Sequence, residues 1–171
     1  MRTAVVCLVL GISISVVAQR ASSARANSDQ KTLSSRQQAF RSSGTAALNA
    51  EYARETAGSV HECPDANDML SIHKCMDSEL RITQRNYETY VRSIGGLLRI
   101  EDPDFPNLPT AALELDKAER NWTAYRDAQC RAYQNLDVGT IQVVNYYDCE
   151  IDLTRSHLHE LESLYKRDLW E

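Results

Sequence analysis

After Pro64, apolar residues recur at three- and four-residue steps through most of the chain. Met69, Ile72, Met76, Leu80, Thr83, Tyr87, Val91 and Ile94 form the first such series. That spacing puts them on one stripe of a 3.6-residue helix. Gly95-Gly96 weakens the end of this helix, and the run Asp102-Pro103-Asp104-Phe105-Pro106-Asn107-Leu108-Pro109 breaks it. Thr110 is placed to cap a second helix, with Leu115, Ala118, Trp122 and Tyr125 facing inward. Asp137-Val138-Gly139-Thr140 is the next turn, with Thr140 placed to cap a third helix. That helix shows Val144, Tyr147, Ile151, Leu158, Leu161 and Tyr165 on one stripe. No stretch alternates with period two. Three long helices with short connections predict an all-α fold, an antiparallel three-helix bundle running up-down-up.

The N-terminal third reads differently. Met1-Arg2-Thr3 is a short positive segment, and Ala4–Ala18 is an apolar run too short to span a bilayer. Ala24-Arg25-Ala26 has the small-x-small pattern of a signal-peptide cleavage site, so residues 1–26 are expected to leave on export, Cys7 with them. Residues 27–60 are rich in Ser, Arg, Gln, Ala and Thr, with little to bury beyond Leu33, Phe40, Leu48 and Tyr52. They read as a flexible leader, with a helix around Arg36–Arg54, ahead of a domain that begins near Val60 and fills 61–171.

Charge narrows the partners. The 171 residues carry 19 basic and 24 acidic side chains, a net charge of −5. Removing residues 1–26 takes away Arg2, Arg20 and Arg25 and no acid, which leaves −8. An acidic chain lacks the basic footprint that nucleic acid requires. It suits solubility, and it favours encounter with a basic protein.

Four cysteines remain after processing: Cys63, Cys75, Cys130 and Cys149. An even count in an exported chain reads as a disulfide framework, with three possible pairings. Counting helical rise from a common floor at the 137–139 turn puts Cys75 and Cys149 at similar heights, about 14 Å up, with Cys130 lower and Cys63 near the floor. That ranking favours Cys75–Cys149 with Cys63–Cys130. The second choice is Cys63–Cys75 with Cys130–Cys149, and it requires the first helix to start late.

The run Leu115-Asp116-Lys117-Ala118-Glu119-Arg120-Asn121-Trp122, followed by Tyr125-Arg126-Asp127 and Cys130, resembles the central signature of the LprI-type lysozyme inhibitor family. Gly139-Thr140, Cys149, Thr154-Arg155 and Leu158 resemble its downstream part; Cys63, Met69, Cys75 and Asn86-Tyr87 resemble its upstream part. The resemblance covers residues 60–165. Arg85-Asn86 stands where the family usually has Leu-Asn. The resemblance implies a small exported helical protein that blocks a lysozyme by occluding its glycan cleft. An envelope structural or assembly factor with another protein partner is the alternative.

The motif residues carry their own physical reading. Trp122 and Tyr125, three apart on one helix face, are expected as core anchors. Arg126 and Asp127 cannot both face that core; Glu150 or Asp152 suits Arg126, and Arg155 suits Asp127. His61-x-Cys63 with His73-x-Cys75 sketches a zinc site, but oxidation of the cysteines is the stronger expectation. His157-x-His159 diverges around its helix and reads as surface. Asn121-Trp122-Thr123 is a glycosylation sequon in mid-helix, read as coincidence. Glu101/Asp102 and Glu114/Asp116 lack the cleft that a carboxylate pair needs for glycoside chemistry. With no nucleophile elbow, phosphate loop or haem motif, the chain is read as a binding protein with no cofactor, not an enzyme. The candidate contact surface is the acidic, proline-stiffened loop with Glu101, Asp102, Asp104 and Phe105.

Overall fold

A computed structural model describes residues 12–56, 63 and 66–170, with side chains from residue 28 onward. Cys7 of the expected signal peptide, the expected domain start at Val60 and His61 of the sketched zinc site lie outside the described residues. The chain divides into two compact units, Met1–Gln38 and Ala39–Glu171. In the first, the described residues are helical, and Thr32 and Ser35 return their hydroxyls to the backbone carbonyls of Ser28 and Thr32.

The described residues of the second unit form four helices, not three. They are the last part of α1 (Ile12–Thr56), then α2 (Met69–Leu98), α3 (Leu108–Gln134) and α4 (Ile141–Tyr165), followed by a π-helical stretch, Lys166–Trp170. No strand occurs among the described residues, and no described helix is long and apolar enough to cross a membrane. Neighbours along the chain run antiparallel. Glu51 on α1 meets Thr83 on α2, and Tyr87 on α2 meets Glu119 on α3. Cys130 on α3 meets Cys149 on α4. α4 returns to α1, where Arg155 meets Glu51.

The helix expected around Arg36–Arg54 is present, but residues 39–56 pack into the second unit and are not a flexible leader. Their inward stripe is Phe40, Gly44, Ala47, Leu48, Glu51 and Tyr52. A search for large apolar residues passes over a stripe built from Gly, Ala and Glu. Those small residues let α1 approach closely. A Cβ on Gly44 would come within 2.7 Å of Trp170 and 3.1 Å of the Ser93 Cβ, and one on Gly96 would strike the Phe40 ring. Trp170 donates its indole N–H to the Arg41 carbonyl, and Arg41 Nε donates to the Leu169 carbonyl. The Lys166–Trp170 stretch is thereby tied to the start of this section of α1.

α2 follows its predicted stripe and runs unbroken through Gly95-Gly96 to Leu98. It starts late because Asp68 and Ser71 form a reciprocal capping box. The late start decides the cysteine pairing. The Cys63 carbonyl accepts the Ala66 N–H, and the Cys63 Cα is 6.1 Å from that of Cys75. The bonds are Cys63–Cys75 and Cys130–Cys149, the second choice of the sequence reading. The favoured pairing failed because it assumed a flat floor. With 5.4 Å between the Cys130 and Cys149 Cα atoms, those two positions are level, so residues 135–140 take up the offset.

α3 begins at Leu108 with Pro109 in its first turn, and Asn107 rather than Thr110 holds the capping position. Its buried residues are Ala112, Leu115, Glu119, Arg126 and Cys130, with Trp122 half-buried. Ala118 and Tyr125, expected inward, are exposed. The stripe is rotated because Glu119 and Arg126, both charged, occupy core positions. Gly139 supplies the positive φ (81°) that ends the α3–α4 turn, and Thr140 holds the capping position without a side-chain bond.

Candidate functional site

A polar band cuts the core of the second unit into two apolar blocks. Below it lie Met76, Leu80 and Ile151, with Ile72 and Tyr147 packed on them. Above it lie Leu48, Tyr90, Ile94, Leu98, Leu115, Leu158 and Leu161. The band itself holds Glu51, Thr83, Arg126, Glu150, Thr154 and Arg155, all buried.

Its hydrogen bonds link all four helices. Glu51 accepts from Thr83 Oγ1 (2.8 Å), Asn86 Nδ2 (2.7 Å) and Arg155 Nε (2.6 Å). Burial pushes the Glu51 carboxyl up, but these donors and the Arg155 charge outweigh it and hold the group below its ordinary value. Arg126 pairs with Glu150 at 2.7 Å and donates to Thr154 Oγ1 at 3.1 Å. Burial of Glu150 prevails over the Arg126 charge and raises its carboxyl.

Next to the band, Glu119 accepts from Tyr87 OH at 2.5 Å and lies 3.2 Å from His157 Nε2. His157 Nδ1 lies 3.1 Å from Glu160. The imidazole stacks on Trp122 with centroids 4.1 Å apart, and the Arg126 guanidinium covers the same indole at 5.2 Å. His157 therefore sits inside a cluster instead of on the open surface that the sequence predicts. Burial lowers its tendency to protonate, yet the two carboxylates win and raise its pKa above 6.5.

The motif residues thus converge. Asn86, Tyr87, Trp122, Arg126, Thr154 and Arg155 all lie in this network. Glu150 is the partner of Arg126, as expected. Arg155 does not meet Asp127; it is committed to Glu51, a residue read as leader. Asp127 instead accepts from Arg131 and from Tyr146 OH at 3.0 Å, and those bonds hold its carboxyl low. Tyr125 points away from it, as do Ala118, Arg120 and Asn121 of the same run. Glu51, Glu119 and His157 were missed, and for Glu51 the available signal was its three-residue step from Leu48. This is an interior built to hold helices in register; on its outer side Glu119 also lines an open groove with Asp116, Arg120 and Thr123.

Exposed side chains gather at the two ends, with Tyr125 exposed between them. At one, Glu101, Asp104 and Phe105 are exposed in a tight loop where the Asp104 N–H reaches Asp102 Oδ1 and the Phe105 N–H reaches the Asp102 carbonyl. At the other, Leu136 and Val138 are exposed on the α3–α4 turn, beside an open groove lined by Gln129, Tyr133, Asp148, Cys149, Asp152 and Leu153. Among the described residues, no group of His, Cys, Asp and Glu is arranged to hold a metal ion. His73 instead approaches the Thr140 carbonyl at 3.3 Å, and Cys63 and Cys75 are bonded to each other.

The family model for "Lysozyme inhibitor LprI" matches residues 61–161. An uncharacterized protein of Rhizobium meliloti (strain 1021) is 28% identical over 108 residues, which cover 60% of this chain and 78% of that protein. No solved structure matches.

Proposed function

The chain belongs to the LprI lysozyme inhibitor family, and from that premise we propose that it is an exported binding protein that blocks a lysozyme by occluding its glycan cleft. Family membership carries the reading. Two further observations support it. The two disulfides suit an oxidising compartment, consistent with residues 1–26 acting as a cleaved signal peptide. The acidic charge, −5 for the whole chain and −8 after such cleavage, steers encounter with a basic enzyme.

Inhibition of this kind needs no catalytic group. It needs a rigid surface that fills the cleft faster than glycan does. The polar band and the two disulfides supply rigidity. Both ends of the bundle present exposed apolar side chains to such a partner, Phe105 in the 101–107 loop and Leu136 with Val138 in the α3–α4 turn.

The test is a turbidity assay of cell-wall lysis by c-, g- and i-type lysozymes, with and without excess oxidised protein. Slower clearing by at least one enzyme is the expected result. Undiminished lysis by all of them, together with recovery of another envelope protein in a pull-down, returns the function to an assembly factor.

A further inference from the structure

We infer that the α3–α4 turn, and not the 101–107 loop, is the end that docks the basic partner; this rests on the lysozyme-binding reading above. Tyr133, Leu136, Val138 and Ile141 are all exposed within nine residues, Leu136 at 75% and Val138 at 88%. The opposite end offers Phe105 in its loop, Leu113 on α3 and Leu164 on α4, each from a different element and not from one continuous turn. Exposed apolar side chains clustered this closely mark contact surfaces, whereas single ones are ordinary.

The turn is also braced. The Cys130–Cys149 bond joins its two helices just behind it. Asn145 Nδ2 donates to Asp137 Oδ2 and Gln142 Nε2 to the Asp137 carbonyl, both at 2.6 Å. Gly139 fixes the reversal with its positive φ, and His73 of α2 approaches the Thr140 carbonyl. A protrusion already held in one shape loses little entropy when it docks.

Charge selects the occupant. Residues 127–153 hold Asp127, Asp137, Asp148, Glu150 and Asp152 against Arg131 alone. Glu150 pairs with Arg126 in the interior, Asp127 pairs with Arg131, and Asp148 and Asp152 also have interactions within the protein, so it is the net negative field of this end that counts. Asp148 and Asp152 line the groove beside Tyr133. An apolar tip flanked by an aromatic and carboxylates fits a concave surface with an apolar floor and a cationic rim. α3 has 27 residues and is about 40 Å long, so one docked domain engages one end or the other.

The experiment is calorimetric titration of the full oxidised protein against a lysozyme that it inhibits. Leu136→Ser/Val138→Ser is expected to weaken binding at least about 30-fold, the scale of a central contact. Its unfolding midpoint should stay at the wild-type value, because neither side chain is buried. Leu164→Ser, an exposed leucine near the other end of α4, should bind as wild type. As a second readout, a photoreactive side chain at position 138 should crosslink to the lysozyme. Wild-type affinity in the double variant overturns the inference. So does a comparable loss from Phe105→Ala, or a crosslink from position 105 and none from 138. If the wild-type protein binds no lysozyme at all, the parent reading fails with the occupant named here, and that result is visible before any variant is made.

Discussion

Replacing Glu51 by Leu tests whether α1 belongs to the folding unit. Glu51 is 1% exposed and accepts three side-chain hydrogen bonds, one of them from Arg155. Leucine refills most of the volume but leaves the guanidinium of Arg155 buried. Its Nη1 and Nη2 have no hydrogen-bond partner among the described residues, and Glu55 stands 4.0 Å from its Nε. Breaking a buried pair from one side typically costs about 3–5 kcal/mol. Thr83 and Asn86 lose their acceptor as well, which argues for the upper half of that range. A loss of about 4 kcal/mol would move the urea midpoint down by roughly 2 M. It would lower the thermal midpoint by about 10–15 °C. The assay is equilibrium urea unfolding followed by helical circular dichroism under non-reducing conditions. Adding Arg155→Met to the same chain should recover at least about 2 kcal/mol, since the stranded charge is gone. A single variant that costs less than about 1 kcal/mol would refute the reasoning, because residues 39–56 would then lie outside the cooperative core. A double variant as unstable as the sum of the two singles would refute the pairing.

Other measurements reach other parts of the fold. Peptide mapping without reduction should recover Cys63 joined to Cys75 and Cys130 joined to Cys149; replacing either pair by serine should cost roughly 3 kcal/mol, given loops of 12 and 19 residues. His157 has a folded pKa above 6.5, so its cation, held by Glu119 and Glu160, contributes stability that is fully present below pH 6.5. That contribution is lost as the pH rises from 6.5 through the folded pKa. The urea midpoint should therefore fall as the pH rises above 6.5, and His157→Gln should flatten the slope; equal slopes would show that the ring does not bind a proton more tightly in the folded state. Gly96→Ala should cost about 1–3 kcal/mol because its Cβ meets the Phe40 ring, and Phe40→Leu in the same chain should return part of that loss in thermal unfolding.

The three strongly patterned helices were legible from the chain because their apolar residues are large and regularly spaced. Met76, Leu80, Tyr87 and Ile94 face inward on α2, and Ile151, Leu158 and Leu161 do so on α4. The turn at Gly139 was legible for a similar reason, since a positive φ favours glycine. So was the pairing of Arg126 with a carboxylate on α4. These features depend on local periodicity or on chemistry that has few solutions.

Only the tertiary structure decided the rest. α1 hides its inward face in Gly44, Ala47 and Glu51, which become core residues only because Trp170, Ser93 and Arg155 meet them from elements far along the chain. Glu119 and Arg126 hold buried positions on α3 because partners on other helices satisfy their charge, and this rotates Tyr125 to the surface. The cysteine pairing turned on where one helix begins, a matter of a single turn set by Asp68 and Ser71. Sequence periodicity reports how apolar a face is. It does not report which polar groups will find their partners inside, and here that matching joins the fourth helix to the other three.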